Sequence, residues 1–364
     1  MIFNVNTLEY TIWIPVYKLN DYSYYNSNFY KFLLIIELVL SIIALIFTIS
    51  SVYIVTNTKA FHSNLNSLVA SVISSWILCL IGRIMLTPYL IGMWKVENLS
   101  SEVQFWWTDD VAEMPEIQTI RKYWCMFLGG FLVWYYMFIL ITCFFILALE
   151  RTCASYFIQN YEKTTRSYIF IFLILFQHGM VLVMLWFCFF NRIAFSLCVL
   201  FTFSLNAFAV LLLWANRQYN LILIRRFERN TKKSIEMYTL PARFQAKENV
   251  KAFDLTFRIL IVGLFLIFTA LVFLVFLNYK WLPSCGTFLL FCFENLVHLN
   301  PLIVCPVLIL SVNPWRRRLS NWRIIRSVSC VTTQKELLKK EMGQQQETDF
   351  YFNQLNASWE QHIK

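Results

Sequence analysis

Seven long apolar segments dominate this 364-residue sequence and restrict what it can fold into. Each exceeds the roughly 20 residues that a helix needs to cross a bilayer. Lipid offers no hydrogen-bond partners to open backbone groups, and ten-residue alternating strands are absent, so the segments are predicted to be helices. We call them spans one to seven, with predicted bounds 32–55, 65–90, 123–149, 168–190, 194–215, 255–278 and 285–312.

The composition favours an all-α membrane protein, a seven-helix bundle in a lipid bilayer. Hydrophobic residues make up 59% of the chain and charged residues 14%, against roughly 45–50% and about 25% in soluble domains. A formal net charge of +10 would also suit a nucleic-acid-binding protein. The basic residues, however, lie in a few segments between the apolar ones, which is the pattern of membrane topology. We therefore predict no nucleic-acid partner.

Lysine and arginine are distributed unequally between alternate connecting segments, and this predicts the orientation. Most of them follow spans one, three, five and seven, including the basic segment 217–251. The positive-inside rule then places the N-terminus outside and the C-terminus inside. The predicted regions are an extracellular segment 1–31, a transmembrane domain 32–312, an amphipathic membrane-surface helix 313–330 and a flexible cytoplasmic tail 331–364.

Three kinds of modification site are predicted. Asn98, in Asn98-Leu99-Ser100, is a candidate for glycosylation in an outer segment. Cys125 and Cys188 fall near predicted outer ends of spans and are the first choice for a disulfide, with unpaired thiols as the alternative. Cys330, just beyond the amphipathic helix, is either a palmitoylation site or an ordinary free thiol. The ten cysteines form no C-x-x-C or Cys/His cluster, so we expect no metal site.

Three of the charged residues inside predicted spans lie at a similar depth. Glu37, Arg83 and Glu294 fall in the outer third of spans one, two and seven. Unpaired charge in hydrocarbon is costly, so we expect the three side chains to meet. His298 lies one turn beyond Glu294 on the same helix face. The cluster is interpreted either as a structural ion pair, which the cost of unpaired charge favours, or as a ligand pocket.

Two short motifs occur directly after span three and within span seven. Glu150-Arg151 follows the apolar part of span three. Alone, this dipeptide suits a stop signal or an arginine that reaches headgroup level while its stem stays in hydrocarbon. Asn300-Pro301 lies in span seven, where Pro301 and Pro306 are expected to bend the helix, as Pro88 is in span two.

The seven spans, this orientation and the two motifs together resemble the rhodopsin-like superfamily of G-protein-coupled receptors. The residues after span three are similar to the signature of nematode chemoreceptors of serpentine receptor class epsilon: Glu150-Arg151-x-x-Ala154-Ser155-x-Phe157-x-x-Asn160-Tyr161-Glu162-Lys163. The stretch before span one is similar to the amino-terminal segment of that family: Trp13-Ile14-Pro15-Val16-Tyr17. The resemblance covers residues 13 to about 322.

The resemblance implies a receptor in the plasma membrane of sensory neurons, including their cilia. It implies that an external small molecule binds and that a heterotrimeric G protein is activated through the inner ends of spans three, five and six. Glu150, Arg151, Asn300 and Pro301 would form the activation switch, with Arg151 held at rest by Glu150 or by groups on span six. The sequence departs from the superfamily at Val304, where a tyrosine often completes the Asn-Pro motif.

Two other classes of function fit the sequence less well. A transporter or channel is the alternative, but such proteins normally show internal repeats or broken helices in matching halves, and neither is visible. A membrane enzyme with a histidine metal centre needs clustered histidines. The four histidines lie in different segments, so no enzymatic activity, catalytic residue or cofactor is expected.

Overall fold

The computed structural model describes residues 1–5, 10–97, 99, 108, 110–111, 114–158, 166–228, 240–278 and 286–321. Within these ranges seven helices are long and apolar enough to cross a membrane, which confirms the predicted fold class. Spans one to seven are the helices Asn28–Asn57, Ser63–Ser74 with Trp76–Leu90, Trp124–Tyr156, Ser167–Phe189, Phe195–Glu228, Leu240–Asn278, and Gly286–His298 with Pro301–Ser311. A 3-10 turn, Ile120–Tyr123, leads into span three.

Span three is the central helix of the bundle. It packs against spans two, four, five and six, whereas spans one and seven pack against each other. Half of the residues in its most apolar 18-residue stretch are buried, the largest share among the seven spans. Polar side chains on span three can therefore bond to several neighbours at once.

Spans three, five and six extend well beyond their predicted bounds. Glu150-Arg151 lies inside span three, which continues to Tyr156, so the dipeptide does not end the helix. The segment 217–251, expected to be a basic loop, contributes its first and last thirds to the helices of spans five and six. The apolar pattern marked only the lipid-facing part of each helix. Residues 216–228 contain no glycine or proline to stop the helix.

Two spans are interrupted, but only the interruption in span seven lies at one of the prolines that were expected to bend a helix. Span two is interrupted at Ser75, whose hydroxyl donates to the Val72 carbonyl at 2.6 Å. Pro88 lies inside its second helix and does not end it. Span seven is interrupted directly before Pro301, as expected for a residue that cannot donate a backbone hydrogen bond, while Pro306 lies inside the following helix.

A small sheet at the amino terminus was not predicted. Strands β1 (Ile2–Val5), β2 (Tyr10–Trp13) and β3 (Glu116–Ile117) pair in the order β2-β1-β3, antiparallel between β1 and β2 and parallel between β1 and β3. The sheet buries apolar residues against spans two, three and four. The Trp134 indole of span three donates to the Trp13 carbonyl at 3.0 Å. The sheet therefore covers one end of the bundle, which we call the N-terminal end; the opposite end is the Arg151 end.

A second unit of the chain begins at Asn313. Its described part is the helix Asn313–Ser320 and Asn321. This helix covers the first half of the predicted amphipathic helix 313–330. Cys330 and the predicted tail 331–364 lie outside the described residues, as does Asn98.

Candidate functional site

Arg151 is buried in span three and forms a paired contact with its neighbour. Its side chain is 3% exposed, and that of Glu150 is fully buried. The guanidinium donates from Nε and Nη2 to the two carboxylate oxygens of Glu150, the second at 2.6 Å. This bidentate hydrogen bonding pairs the guanidinium and the carboxylate within one helix, so the two side chains move with span three as a unit.

The remaining guanidinium nitrogen joins Arg151 to span six. Nη1 donates to the Asn249 Oδ1 at 3.0 Å and lies 3.7 Å from the Glu248 Oε1. The same Glu248 oxygen accepts from the backbone N–H of His62, directly before span two, at 2.7 Å. Spans two, three and six are thus linked through Arg151 and Glu248.

A buried amide network surrounds this contact and brings in span five. The Asn249 Nδ2 donates to the Ser155 Oγ at 3.1 Å and to the Asn220 Oδ1 at 3.2 Å. Asn220 donates to the same Ser155 oxygen at 2.9 Å. One turn away, the Asn216 Nδ2 donates to the Thr152 Oγ1 at 2.9 Å. We call Glu150, Arg151, Ser155, Asn220 and Asn249 the Arg151 network.

Sequence reasoning found Glu150 and Arg151 but missed the amides. Asn216 and Asn220 lie four residues apart, and so do Gln245 and Asn249, which places each pair on one face of a helix. That spacing was the available signal. It was overlooked because both pairs lie beyond the apolar parts of spans five and six.

The second half of the predicted switch lies elsewhere in the bundle. Asn300 accepts a hydrogen bond from the Tyr136 hydroxyl of span three at 2.8 Å. Tyr136 precedes Arg151 by about 22 Å along the helix at about 1.5 Å per residue. The structure therefore does not bring Asn300-Pro301 to Arg151. Asn300 instead joins spans three and seven close to the break in span seven.

The three charged residues predicted to meet are in contact near the N-terminal end. The Arg83 Nε lies 2.8 Å from the Glu37 Oε1, and its Nη1 lies 2.6 Å from the Glu294 Oε2. The Asn295 Nδ2 lies 3.5 Å from the other Glu37 oxygen. One arginine thus joins spans one, two and seven through two carboxylates. We call Glu37, Arg83 and Glu294 the charge cluster.

His298 has different partners from those the sequence suggested. Its Nε2 shares a hydrogen bond with the Ser41 Oγ of span one at 3.0 Å, and its ring stacks on Trp76 of span two. The Trp76 indole donates to the His298 carbonyl at 2.7 Å. His298 therefore joins the same three spans as the charge cluster, one turn deeper.

Residues of the amino-terminal segment lie over the charge cluster. Burial, and next the charge of Glu294, raise the pKa of the Tyr17 and Tyr24 phenols, so both stay neutral. The Lys18 ammonium lies 2.8 Å from the Asp21 carboxylate and donates to the Thr287 hydroxyl at 3.1 Å. A cavity of about 400 Å³ at this end is lined by Lys18, Asp21, Tyr22, Ser23, Asn26 and Ser27.

The structure contains no bond between Cys125 and Cys188. Both thiols are unbonded, as is that of Cys198, which is the alternative that the sequence left open. Cys125 packs beside the cluster that contains Ile14, whereas Cys188 belongs to the one that contains Trp13. The Cys188 sulfur instead contacts that of Cys198, at 3.5 Å. The described residues also contain no group of three or more His, Cys, Asp or Glu placed to bind a metal ion.

Comparisons with known proteins agree with one another. A family model described as Sre G protein-coupled chemoreceptor matches residues 1–360. The chain is 32% identical to serpentine receptor class epsilon-45 of Caenorhabditis elegans, over 99% of this chain and 100% of the relative. It is 28% identical to serpentine receptor class epsilon-38 of the same organism, over 97% and 99%. No solved structure matches.

Proposed function

The chain belongs to the Sre family of G protein-coupled chemoreceptors, and on this premise we propose that an external small molecule opens its Arg151 end to a heterotrimeric G protein. The proposed orientation places the N-terminal end outside and the Arg151 end in the cytoplasm, in agreement with the unequal distribution of lysine and arginine. The proposed location is the plasma membrane of sensory neurons, including their cilia, where such a receptor meets external molecules.

The observation that carries this proposal is a difference between Arg83 and Arg151, two arginines with little exposure inside the bundle. Arg83 holds three spans together through ion pairs at 2.8 and 2.6 Å, each to a different helix. Arg151 makes its strongest pair within its own helix, to Glu150. Its link to span six is a neutral amide at 3.0 Å and a carboxylate at 3.7 Å.

This difference gives the two ends of the bundle different resistance to opening. Separating Arg83 from either carboxylate leaves an unpaired charge in a low-dielectric region. Separating span six from Arg151 breaks one hydrogen bond from the guanidinium to a neutral amide, worth about 1.5–3 kcal/mol, and a carboxylate contact at 3.7 Å, while the Glu150–Arg151 pair stays intact. The Arg151 network therefore acts as a releasable link between spans three, five and six, and the Arg151 end is where the bundle opens.

We assign the charge cluster to holding the N-terminal end together, with the ligand bound nearby under the amino-terminal segment. The cluster contains two carboxylates and one guanidinium, so one negative charge is in excess. If the cluster itself contacted the ligand, that excess would select a cationic molecule.

The test is a signalling assay in cells that express the receptor, with odorants and small metabolites as stimuli and calcium or cAMP as readout. Arg151→Ala should abolish most of the response per receptor at the surface. Arg151→Ala combined with Glu150→Gln, which leaves neither residue of the pair with an unpaired charge, should be equally silent. Asp254→Asn is the matched control, because Asp254 on span six pairs with Arg217 only loosely, at 3.9 Å, and both are partly exposed.

Unchanged signalling by both Arg151 variants at normal surface amounts would contradict the assigned role. Stimulus-driven ion current or solute uptake that persists without any G protein would instead indicate a transporter or channel.

A further inference from the structure

We propose that Cys188 and Cys198 form a disulfide that joins the end of span four to the start of span five. Their sulfurs are in van der Waals contact at 3.5 Å. A disulfide requires about 2.05 Å, so bond formation needs an approach of only about 1.5 Å. The inference rests on the proposed orientation, which places these residues in an oxidising compartment, and not on G-protein coupling.

The turn between the two spans keeps both thiols in place. Cys188 lies in the last turn of span four, and Cys198 in the first turn of span five. Asn191 adopts a left-handed backbone conformation with φ of 47°, and the Arg192 N–H donates to the Phe187 carbonyl at 2.8 Å. The chain thus reverses within a few residues, and the two helix ends remain side by side.

The thiols lie under the amino-terminal sheet. Cys188 is 2% exposed and packs in one apolar cluster with Ile2 and Trp13 of the sheet and with Leu185 of span four; Cys198 lies at the edge of that cluster. A covalent link here would fix the surface on which β1 and β2 rest. It would therefore hold the ends of spans four and five together beneath the sheet.

The bond forms by thiol–disulfide exchange with an oxidised dithiol, such as a disulfide-donating oxidoreductase of the secretory pathway. Cys198 is the more exposed thiol, so its thiolate attacks the donor disulfide and one donor sulfur leaves as a thiolate. The Cys188 thiolate then attacks the Cys198 sulfur and releases the second donor sulfur. Each cysteine gives up one proton, and the donor takes up two electrons as it becomes a dithiol.

The test is disulfide mapping on the full-length receptor from the cell surface. Free thiols are blocked with N-ethylmaleimide before lysis, and tryptic peptides are compared with and without reduction. Cleavage after Arg166, Arg192 and Arg217 gives the peptides 167–192 and 193–217, each with a single cysteine. We expect a linked pair of these peptides that separates on reduction. It should be lost in Cys198→Ser and kept in Cys125→Ser, the matched control at the same end.

A second measurement does not depend on peptide recovery. Dithiothreitol should lower the unfolding temperature of the purified wild-type receptor by about 5 °C, because the bond restricts a loop of roughly ten residues in the unfolded chain. The double variant Cys188→Ser/Cys198→Ser should show no such shift.

Two results would overturn the inference. One is recovery of both peptides alkylated by N-ethylmaleimide, and the other is a link between Cys188 and any other cysteine. An extracellular amino-terminal tag measured in the same cells separates these results from a failed orientation. The signalling assay separates them from a failed proposed function.

Discussion

The cost of burying an unpaired charge determines which partners the arginines inside the bundle have. Arg83 and Arg151 each lie within hydrogen-bond distance of a carboxylate, as expected where an unpaired charge would lie in hydrocarbon. They differ in what the pairing joins. Arg83 links neighbouring helices, whereas Arg151 is paired within its own helix and free to change its other partners.

The charge cluster predicts how surface expression depends on each of its members. Arg83→Leu alone should strongly reduce surface expression, because it leaves both carboxylates without their partner at a cost of several kcal/mol, whereas Glu294→Leu leaves Arg83 paired with Glu37 and should reduce expression less. The triple variant Glu37→Leu/Arg83→Leu/Glu294→Leu should recover much of the expression that Arg83→Leu loses. Flow cytometry with an amino-terminal tag measures surface expression, and Glu37→Leu belongs in the same series because Glu37 also pairs with Arg83.

The opposite pattern would reassign the cluster. Single variants that reach the surface normally but lose the response to cationic stimuli would show that these residues form the ligand pocket. Normal expression and normal response in all three would show that the charges are not coupled.

Among the helices, spans two and three approach each other closely through two glycines. A Cβ atom at Gly82 would lie 2.7 Å from the Gly129 carbonyl oxygen, and one at Gly129 would lie 2.9 Å from that of Gly82. Both distances are shorter than packed atoms allow, so each glycine is required by the close contact between the helices.

We therefore expect Gly82→Ala to push spans two and three apart and to lower the unfolding temperature in detergent by several degrees. Gly179→Ala is the control, because no described heavy atom lies within 4 Å of the added Cβ. Alanine favours helix by roughly 1 kcal/mol over glycine at both positions. A Gly82→Ala receptor as stable as the Gly179→Ala receptor would contradict the close packing.

Some of these elements could be predicted from the sequence and others could not, for physical reasons. The seven spans were predictable because lipid requires about 20 apolar residues in a helix, and the charge cluster because hydrocarbon penalises unpaired charge. The extensions of spans five and six were missed because polar helical turns carry no apolar signal. Strands β1 and β2 were missed because four-residue strands owe their stability to burial against the helices and not to local preference.

The network around Arg151 shows the same limit within the candidate site. Glu150-Arg151 was visible because charge follows a long apolar run. Asn220 and Asn249 are uncharged, and their importance comes from bonds between residues far apart in the chain. Only the packing of spans three, five and six brings them together.

At the scale of the whole molecule, the account depends on orientation. Epitope tags before Met1 and after Lys364, probed in intact and permeabilised cells, should label outside and inside respectively. The reason is the excess of lysine and arginine in the segments predicted to be cytoplasmic. Labelling of both tags on the same side would require an even number of spans and would contradict the seven-span topology.

The most direct test of the central claim is ligand-independent nucleotide exchange by purified receptor on a panel of heterotrimeric G proteins. Asn249→Ala removes the span-six group that accepts a hydrogen bond from Arg151, while the Glu150–Arg151 pair stays intact, so the open state should gain population. Basal exchange should rise about fivefold or more over wild type on at least one G protein. Asp254→Asn, on the same helix, should match wild type. Equal basal exchange by Asn249→Ala and wild type, on a G protein that the wild-type receptor activates, would contradict the role assigned to the Arg151 network.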